Sequence, residues 1–156
     1  MNKALVSYFS ATGNTKAVAE KIAASLHGDL FEIEPVTKYT NDDLDWTNES
    51  SRSSIEMMNN SSRPDIVQKV ANIEEYDTVY IGFPVWWDVA PRIINTFIEE
   101  NDLTGKKIYV FVTSGSSSEV SSFNNLKETY PNLNFVSAKR FIGNERDDDY
   151  KSCIEK

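Results

Sequence analysis

Short apolar runs alternate with longer amphipathic stretches along this chain, and the alternation predicts strands separated by helices. Lys3–Phe9 is rich in strand-preferring residues and predicts the first strand. Asn14–Leu26 places Val18, Ile22 and Leu26 four apart on one face, the spacing of a helix. His27-Gly28 would end that helix, with Gly28 as the residue just beyond it. Asp29–Glu34 predicts a second strand, stopped by Pro35. Pro64–Val70 predicts a helix with Pro64 in its first turn. Thr78–Phe83 is nearly all apolar, as a central strand would be. Then follow a helix over Pro91–Glu100, a strand over Lys107–Thr113, a helix over Val120–Tyr130 before Pro131, a strand over Leu133–Ser137 and a short final helix over Arg146–Ile154.

Residues 36–62 break the pattern, being rich in Asn, Ser and Asp with scattered Trp46, Ile55, Met57 and Met58. Connections this long are uncommon in compact domains and are usually functional or disordered. Short helical turns are expected around Asp42–Trp46 and Ser53–Asn59.

Strands spaced by helices imply an α/β fold, a five-stranded parallel sheet with right-handed crossovers. With helices on both faces it would be a three-layer, doubly wound sheet. Such sheets bind ligands at the carboxyl ends of their strands, near the point where strand order reverses. The loops at those ends are Ser10–Thr15, Pro84–Ala90 and Ser114–Glu119.

At 156 residues the chain has the length of one domain. A net charge of −8 argues against nucleic acid or an anionic membrane as partner, because both are polyanions. A lone cysteine, Cys153, forms no internal disulfide and fits a reducing cytoplasmic setting. No window approaches the roughly twenty apolar residues of a transmembrane helix.

The first loop, Ser10-Ala11-Thr12-Gly13-Asn14-Thr15, lies between a strand and a helix. The first amides of a helix lack intrahelical acceptors and carry partial positive charge, which suits a phosphate. The hydroxyls of Ser10, Thr12 and Thr15 would add donors, and Gly13 would let the backbone approach closely. Read more plainly, the same residues make a turn and a helix cap. The Walker pattern G-x-x-x-x-G-K-[ST] and the dinucleotide fingerprint G-x-G-x-x-G are both absent, and no cysteine ends the first strand.

The second loop carries Pro84, Val85, Trp86, Trp87 and Asp88. Paired indoles at a functional edge suit a flat aromatic ligand, because offset stacking adds on the order of a kcal/mol to burial. Successive side chains diverge, so one indole would face a ligand and the other would pack, unless both simply cover the sheet end as core. The third loop, Thr113-Ser114-Gly115-Ser116-Ser117-Ser118, is small and polar and would meet the edge of a heterocycle, or form an ordinary turn and helix cap.

Residues 3–17 and Gly82–Asp88 together resemble the opening strand, the T/S-x-T-G-x-T phosphate loop and the second flavin loop of the flavodoxin family. The resemblance implies strand order 2-1-3-4-5 and bound FMN, whose ring carries electrons to redox partner proteins or a small-molecule acceptor. Ser10, Thr12, Gly13, Asn14 and Thr15 would then hold the phosphate. Trp86 aligns with the aromatic that covers the ring, and the backbone of Trp87 and Asp88 would lie beside flavin N5. Thr113 to Ser117 would edge the pyrimidine side.

Two departures from the family pattern matter. Trp87 stands where many flavodoxins have a glycine whose peptide flips toward one-electron-reduced flavin, so that form would be less favoured here. The third loop lacks the usual tyrosine, leaving one ring face for a substrate, a partner or residues of 36–62 such as Trp46, Met57 and Met58, although core packing is the expected use of each. The alternative function is an FMN-dependent NAD(P)H quinone reductase on the same scaffold, and a third class is a non-redox module for a phosphorylated ligand. His27 is expected as a solvated helix-end charge, Asp147–Asp149 as charge at a helix start, and Arg52, Arg63 and Arg92 as surface charges.

Overall fold

The computed structural model describes residues 3–11, 13–45, 47–59, 61–86, 89–113 and 119–141. Five parallel strands form one sheet in the order β2-β1-β3-β4-β5. They are β1 (Ala4–Tyr8), β2 (Asp29–Glu32), β3 (Thr78–Pro84), β4 (Lys107–Thr113) and β5 (Asn134–Phe141). The helices are α1 (Asn14–Leu26), α2 (Arg52–Met58), α3 (Arg92–Glu100) and α4 (Glu119–Thr129).

The three inner strands are buried on both faces, as uninterrupted apolar runs require. On one face Leu5, Val79, Ile81, Ile108 and Val110 pack with Ile93, Ile94 and Phe97 of α3 and Leu126 of α4. On the other, Val6, Tyr8, Tyr80, Tyr109 and Phe111 pack with Val18, Ala19 and Ile22 of α1. Gly82 is opposite Phe111 in the register, and a Cβ there would lie 2.1 Å from that ring. Only glycine leaves Phe111 room to lie across β3.

Strand β2 is an edge strand with exposed residues, and it ends at Glu32, earlier than the predicted Glu34. The chain continues beside β1 for one more bond, from the Ile33 amide to the Tyr8 carbonyl at 2.7 Å. Strand β5 runs on to Phe141, past the predicted Ser137, with an irregularity opposite Ile108/Tyr109.

The predicted helix over 64–70 does not form. Ile66 instead bridges Pro35 in antiparallel fashion. The Val67 amide donates to the Glu34 carbonyl at 2.8 Å, and the Val36 amide to the Asp65 carbonyl at 3.0 Å. Backbone groups left open beyond β2 thus draw the segment into extended pairing, and this tertiary pairing outweighs a weak helical spacing. The helix of this region is α2, where turns around 53–59 were expected. Ser51 caps it by accepting from the Ser54 amide.

The end of α1 also differs in detail. His27, not Gly28, takes the left-handed position, at φ 54°, while the Gly28 amide reaches back to the Ala23 carbonyl at 3.0 Å. His27 is solvent-exposed there, as expected. The predicted final helix over 146–154, with Asp147–Asp149 and Cys153, lies outside the described residues.

Candidate functional site

Parallel pairing brings the carboxyl ends of β1, β3 and β4 to one edge. Tyr8 is level with Gly82, and Pro84 with Thr113. The Phe9 amide donates to the Gly82 carbonyl at 2.9 Å, so β1 and β3 stay joined up to the first loop.

In that loop Gly13 has φ 97° and ψ −12°, a left-handed conformation that side-chain-bearing residues resist. Its amide donates to Ser10 Oγ at 3.0 Å, and its carbonyl accepts from the Ala17 amide at 3.1 Å. Helix α1 therefore starts directly after the turn. The amides of Asn14, Thr15 and Lys16 precede the first intrahelical bond and point out of the helix end. A left-handed residue followed by helical ones makes a concave nest of N–H groups, which favours an anion. Among the described residues beyond its chain neighbours, no atom lies within 4 Å of where a Cβ on Gly13 would sit, so the left-handed backbone and not crowding calls for glycine there. Ser10 Oγ accepts from Gly13, so its own hydrogen is left for a ligand.

Thr15 is turned inward, with 1 % exposure, and its hydroxyl is 2.7 Å from that of Thr113. Its side chain therefore ties the first loop to the end of β4, and its amide stays at the helix end. Asn14 is exposed beside the cradle. Thr12 lies outside the described residues.

After β3, the amides and carbonyls of Trp86 and Val89 pair in both directions at 3.0 Å. Pro84, Val85 and Trp86 are half-buried, and Val85 and Trp86 pack against the core. The Trp86 ring meets Phe9 at 5.7 Å and 89° and Tyr39 at 5.5 Å and 75°, both edge-to-face. Trp87 and Asp88, and Ser114, Gly115, Ser116 and Ser117 of the third loop, lie outside the described residues.

Residues 36–62 reach this edge through Tyr39, which the sequence did not single out. A cavity of about 190 Å³ opens between the first loop and this segment, with Ser10, Glu34, Lys38 and Tyr39 among its walls. The Tyr39 hydroxyl donates to Glu56 Oε1. Burial first, and then that bond to a carboxylate, push its pKa well above the usual tyrosine value. The Arg52 guanidinium lies 3.8 Å from the centre of the Tyr39 ring and pairs with Glu56 at 2.9 Å. The sequence signals that would find α2 are the Ser51 cap and the Arg52/Glu56 pair four apart.

Arg92 overturns its reading as a surface charge. It is 7 % exposed and donates from Nη2 to the Met57 carbonyl at 2.9 Å and from Nε to the Glu56 carbonyl at 3.4 Å. Both carbonyls lie at the end of α2, where a cation is favoured, and the Glu56 carbonyl also accepts from the Asn59 amide at 3.3 Å. Desolvation, with a smaller contribution from Arg63, lowers the Arg92 pKa. Arg63 pairs with Glu99 at 2.9 Å, and Arg52 is half-buried on Tyr39. Met57 is buried, as core packing requires, whereas Met58 is 80 % exposed, against the expectation of core packing. Trp46 lies outside the described residues, and Phe123 packs on Phe135 at 6.4 Å.

Among the described residues no group of three His, Cys, Asp or Glu is placed to hold a metal ion. No described helix is long and apolar enough to cross a membrane.

A doubly wound sheet in this strand order, with a left-handed glycine turn opening onto a helix start after β1 and an aromatic residue after β3, defines a protein of the flavodoxin type. The family profile described as flavodoxin matches residues 3–156, and the chain belongs to the flavodoxin family. A protein from Bacteroides eggerthii DSM 20697, provisionally called a flavoprotein, is 48 % identical at TM-score 0.96, covering 99 % of this chain and 97 % of its own. A second from Bacteroides uniformis ATCC 8492, also provisionally called a flavoprotein, is 46 % identical at TM-score 0.94, covering 99 % of each chain. A Lactobacillus acidophilus NCFM flavoprotein in complex with FMN shares the fold at 23 % identity and TM-score 0.73, covering 97 % of this chain and 99 % of its own. No curated protein matches significantly.

Proposed function

We propose that this chain binds FMN without a covalent bond and carries electrons between redox partner proteins, or to a small-molecule acceptor. The observation that carries the reading is the left-handed Gly13 turn opening onto the free amides of α1, at the edge where the carboxyl ends of β3 and β4 lie beside that of β1. The donor set fits a phosphate dianion held by hydrogen bonds: backbone amides, the Ser10 hydroxyl and no lysine in the loop. The half-buried Trp86 gives the neighbouring loop an aromatic wall of the kind a flat ring needs. Membership of the flavodoxin family and the FMN complex of the Lactobacillus acidophilus flavoprotein support the same ligand.

Bound FMN supplies the redox chemistry on its isoalloxazine ring, while the protein sets affinity and access. The roles of this chain's residues are binding and orientation. Gly13 and the amides of Asn14 and Thr15 hold the phosphate, and the Thr15–Thr113 hydroxyl bond keeps the first and third loops in register.

Titration of FMN into the apo-protein tests the reading. Quenched flavin fluorescence and a shifted yellow spectrum are expected, and a colourless protein with unquenched FMN contradicts it. The carrier role is tested by NADPH oxidation in the presence of a quinone. Activity only when a separate flavodoxin reductase is added supports the carrier, and turnover without it refutes that role in favour of a reductase.

A further inference from the structure

We propose that Tyr39 is a positioning residue for the Trp86 indole, held to that task by Arg52 and Glu56 of α2. The inference rests on the FMN reading and deepens it, because it makes the long segment after β2 part of the cofactor's surroundings.

Trp86 touches two rings. Phe9 follows β1 directly and is 1 % exposed, so it belongs to the rigid sheet edge. Tyr39 comes from the irregular segment, and its position needs a separate cause. Its ring meets Phe9 edge-to-face at 5.6 Å, and side chains of α2 hold it from the other side. Glu56 accepts the Tyr39 hydroxyl, and Arg52 covers the ring at 3.8 Å. Arg52 also donates from Nε to Glu56 at 2.9 Å and from Nη1 to the Thr37 carbonyl at 2.6 Å. A planar guanidinium that stacks on a ring while donating in two directions fixes orientation in a way a lysine does not. The pair is largely desolvated, with side-chain exposures of 23 % and 13 %, so water screens it little. Arg92 anchors the far end of α2 to the start of α3.

Contacts thus run unbroken from α3, through α2, to Tyr39 and Trp86. A segment that only needed fastening would not require the Tyr39 ring to meet the indole edge-to-face at 5.5 Å. That contact gives the positioning role its content.

Two measurements test it. The first is near-ultraviolet circular dichroism of apo-protein carrying Trp46→Phe and Trp87→Phe, in which Trp86 is the sole indole. The second is FMN affinity in the otherwise unaltered chain, with melting temperature followed in parallel. Tyr39→Ala is expected to abolish the Trp86 band and to weaken FMN binding by about tenfold, the size of a lost edge-to-face aromatic pair. Arg52→Gln is expected to shift both in the same direction by a smaller factor, Tyr39→Phe to restore most of the band, and Met58→Ala to change neither. Should Tyr39→Ala fail to fold, Arg52→Gln decides alone. An unchanged Trp86 band and FMN affinity within twofold of normal, with only a lowered melting temperature, overturns the proposal. Failure of the unaltered chain to bind FMN sinks the functional reading instead, and the apo-protein spectrum still decides whether Tyr39 orients Trp86.

Discussion

The turn at Ser10–Gly13 and the segment that supplies Tyr39 meet at the same sheet edge, yet they are built by opposite means. The turn works through backbone: one left-handed glycine, a short hydroxyl bond and the open end of α1. The segment works through side chains: a tyrosine, a carboxylate and two arginines that lock an otherwise irregular stretch. A backbone device depends on conformation and is lost when that conformation is denied. A side-chain device depends on several partners and weakens by degrees.

Substitution at Gly13 gives the largest expected effect. A β-branched residue at φ 97° carries strain of about 1–3 kcal/mol. The loop relieves it by turning, and each charge-assisted bond lost to the phosphate is worth about 1.5–3 kcal/mol. Gly13→Val should therefore weaken FMN binding by about a hundredfold, read by fluorescence titration. Retained affinity would show that the turn is not the anion cradle.

Arg92→Met comes next. It strips donors from the Glu56 and Met57 carbonyls at the end of α2, and should lower stability by about 2 kcal/mol in denaturant unfolding. FMN affinity should fall much less than for Gly13→Val, since the cradle does not touch α2. An equal fall in both would erase the distinction between the two devices.

Thr15→Val leaves Thr113 without its 2.7 Å partner and should cost about 1 kcal/mol of stability, with a small loss of affinity. The smallest effect is a pH dependence. Tyr39 has a raised pKa in the folded state, so its contribution is complete below the ordinary tyrosine value of about 10 and is lost as pH rises beyond it. Melting temperature should therefore decline in alkali, and Tyr39→Phe should make that decline shallower. An unaltered slope would contradict the buried hydroxyl bond.

The contrast also explains what could be read from the chain alone. Inner strands buried on both faces leave continuous apolar runs, so β1, β3 and β4 were legible to within a residue. The Gly13 turn was legible because glycine between hydroxyls, after a strand and before a helix, marks a turn that leads into the helix. The stretch over 64–70 misled because Ile66 and Val70 stand four apart like a helix face, while their pairing partners lie at Pro35 and Asn101. Arg92 was illegible because a cation in an amphipathic helix reads as solvent-facing until the carbonyls of α2 are placed against it. Tyr39 was missed for the same reason: its partners Glu56, Arg52 and Trp86 are distant in sequence, and no local pattern announces them.

The most direct measurement compares FMN with riboflavin, which keeps the ring and lacks the phosphate. If amides at the start of α1 and the Ser10 hydroxyl hold a dianion, riboflavin should bind at least about a hundredfold more weakly, the worth of two or more charge-assisted hydrogen bonds. Equal affinity for the two ligands would contradict the account, because it would leave the Gly13 turn with nothing to hold.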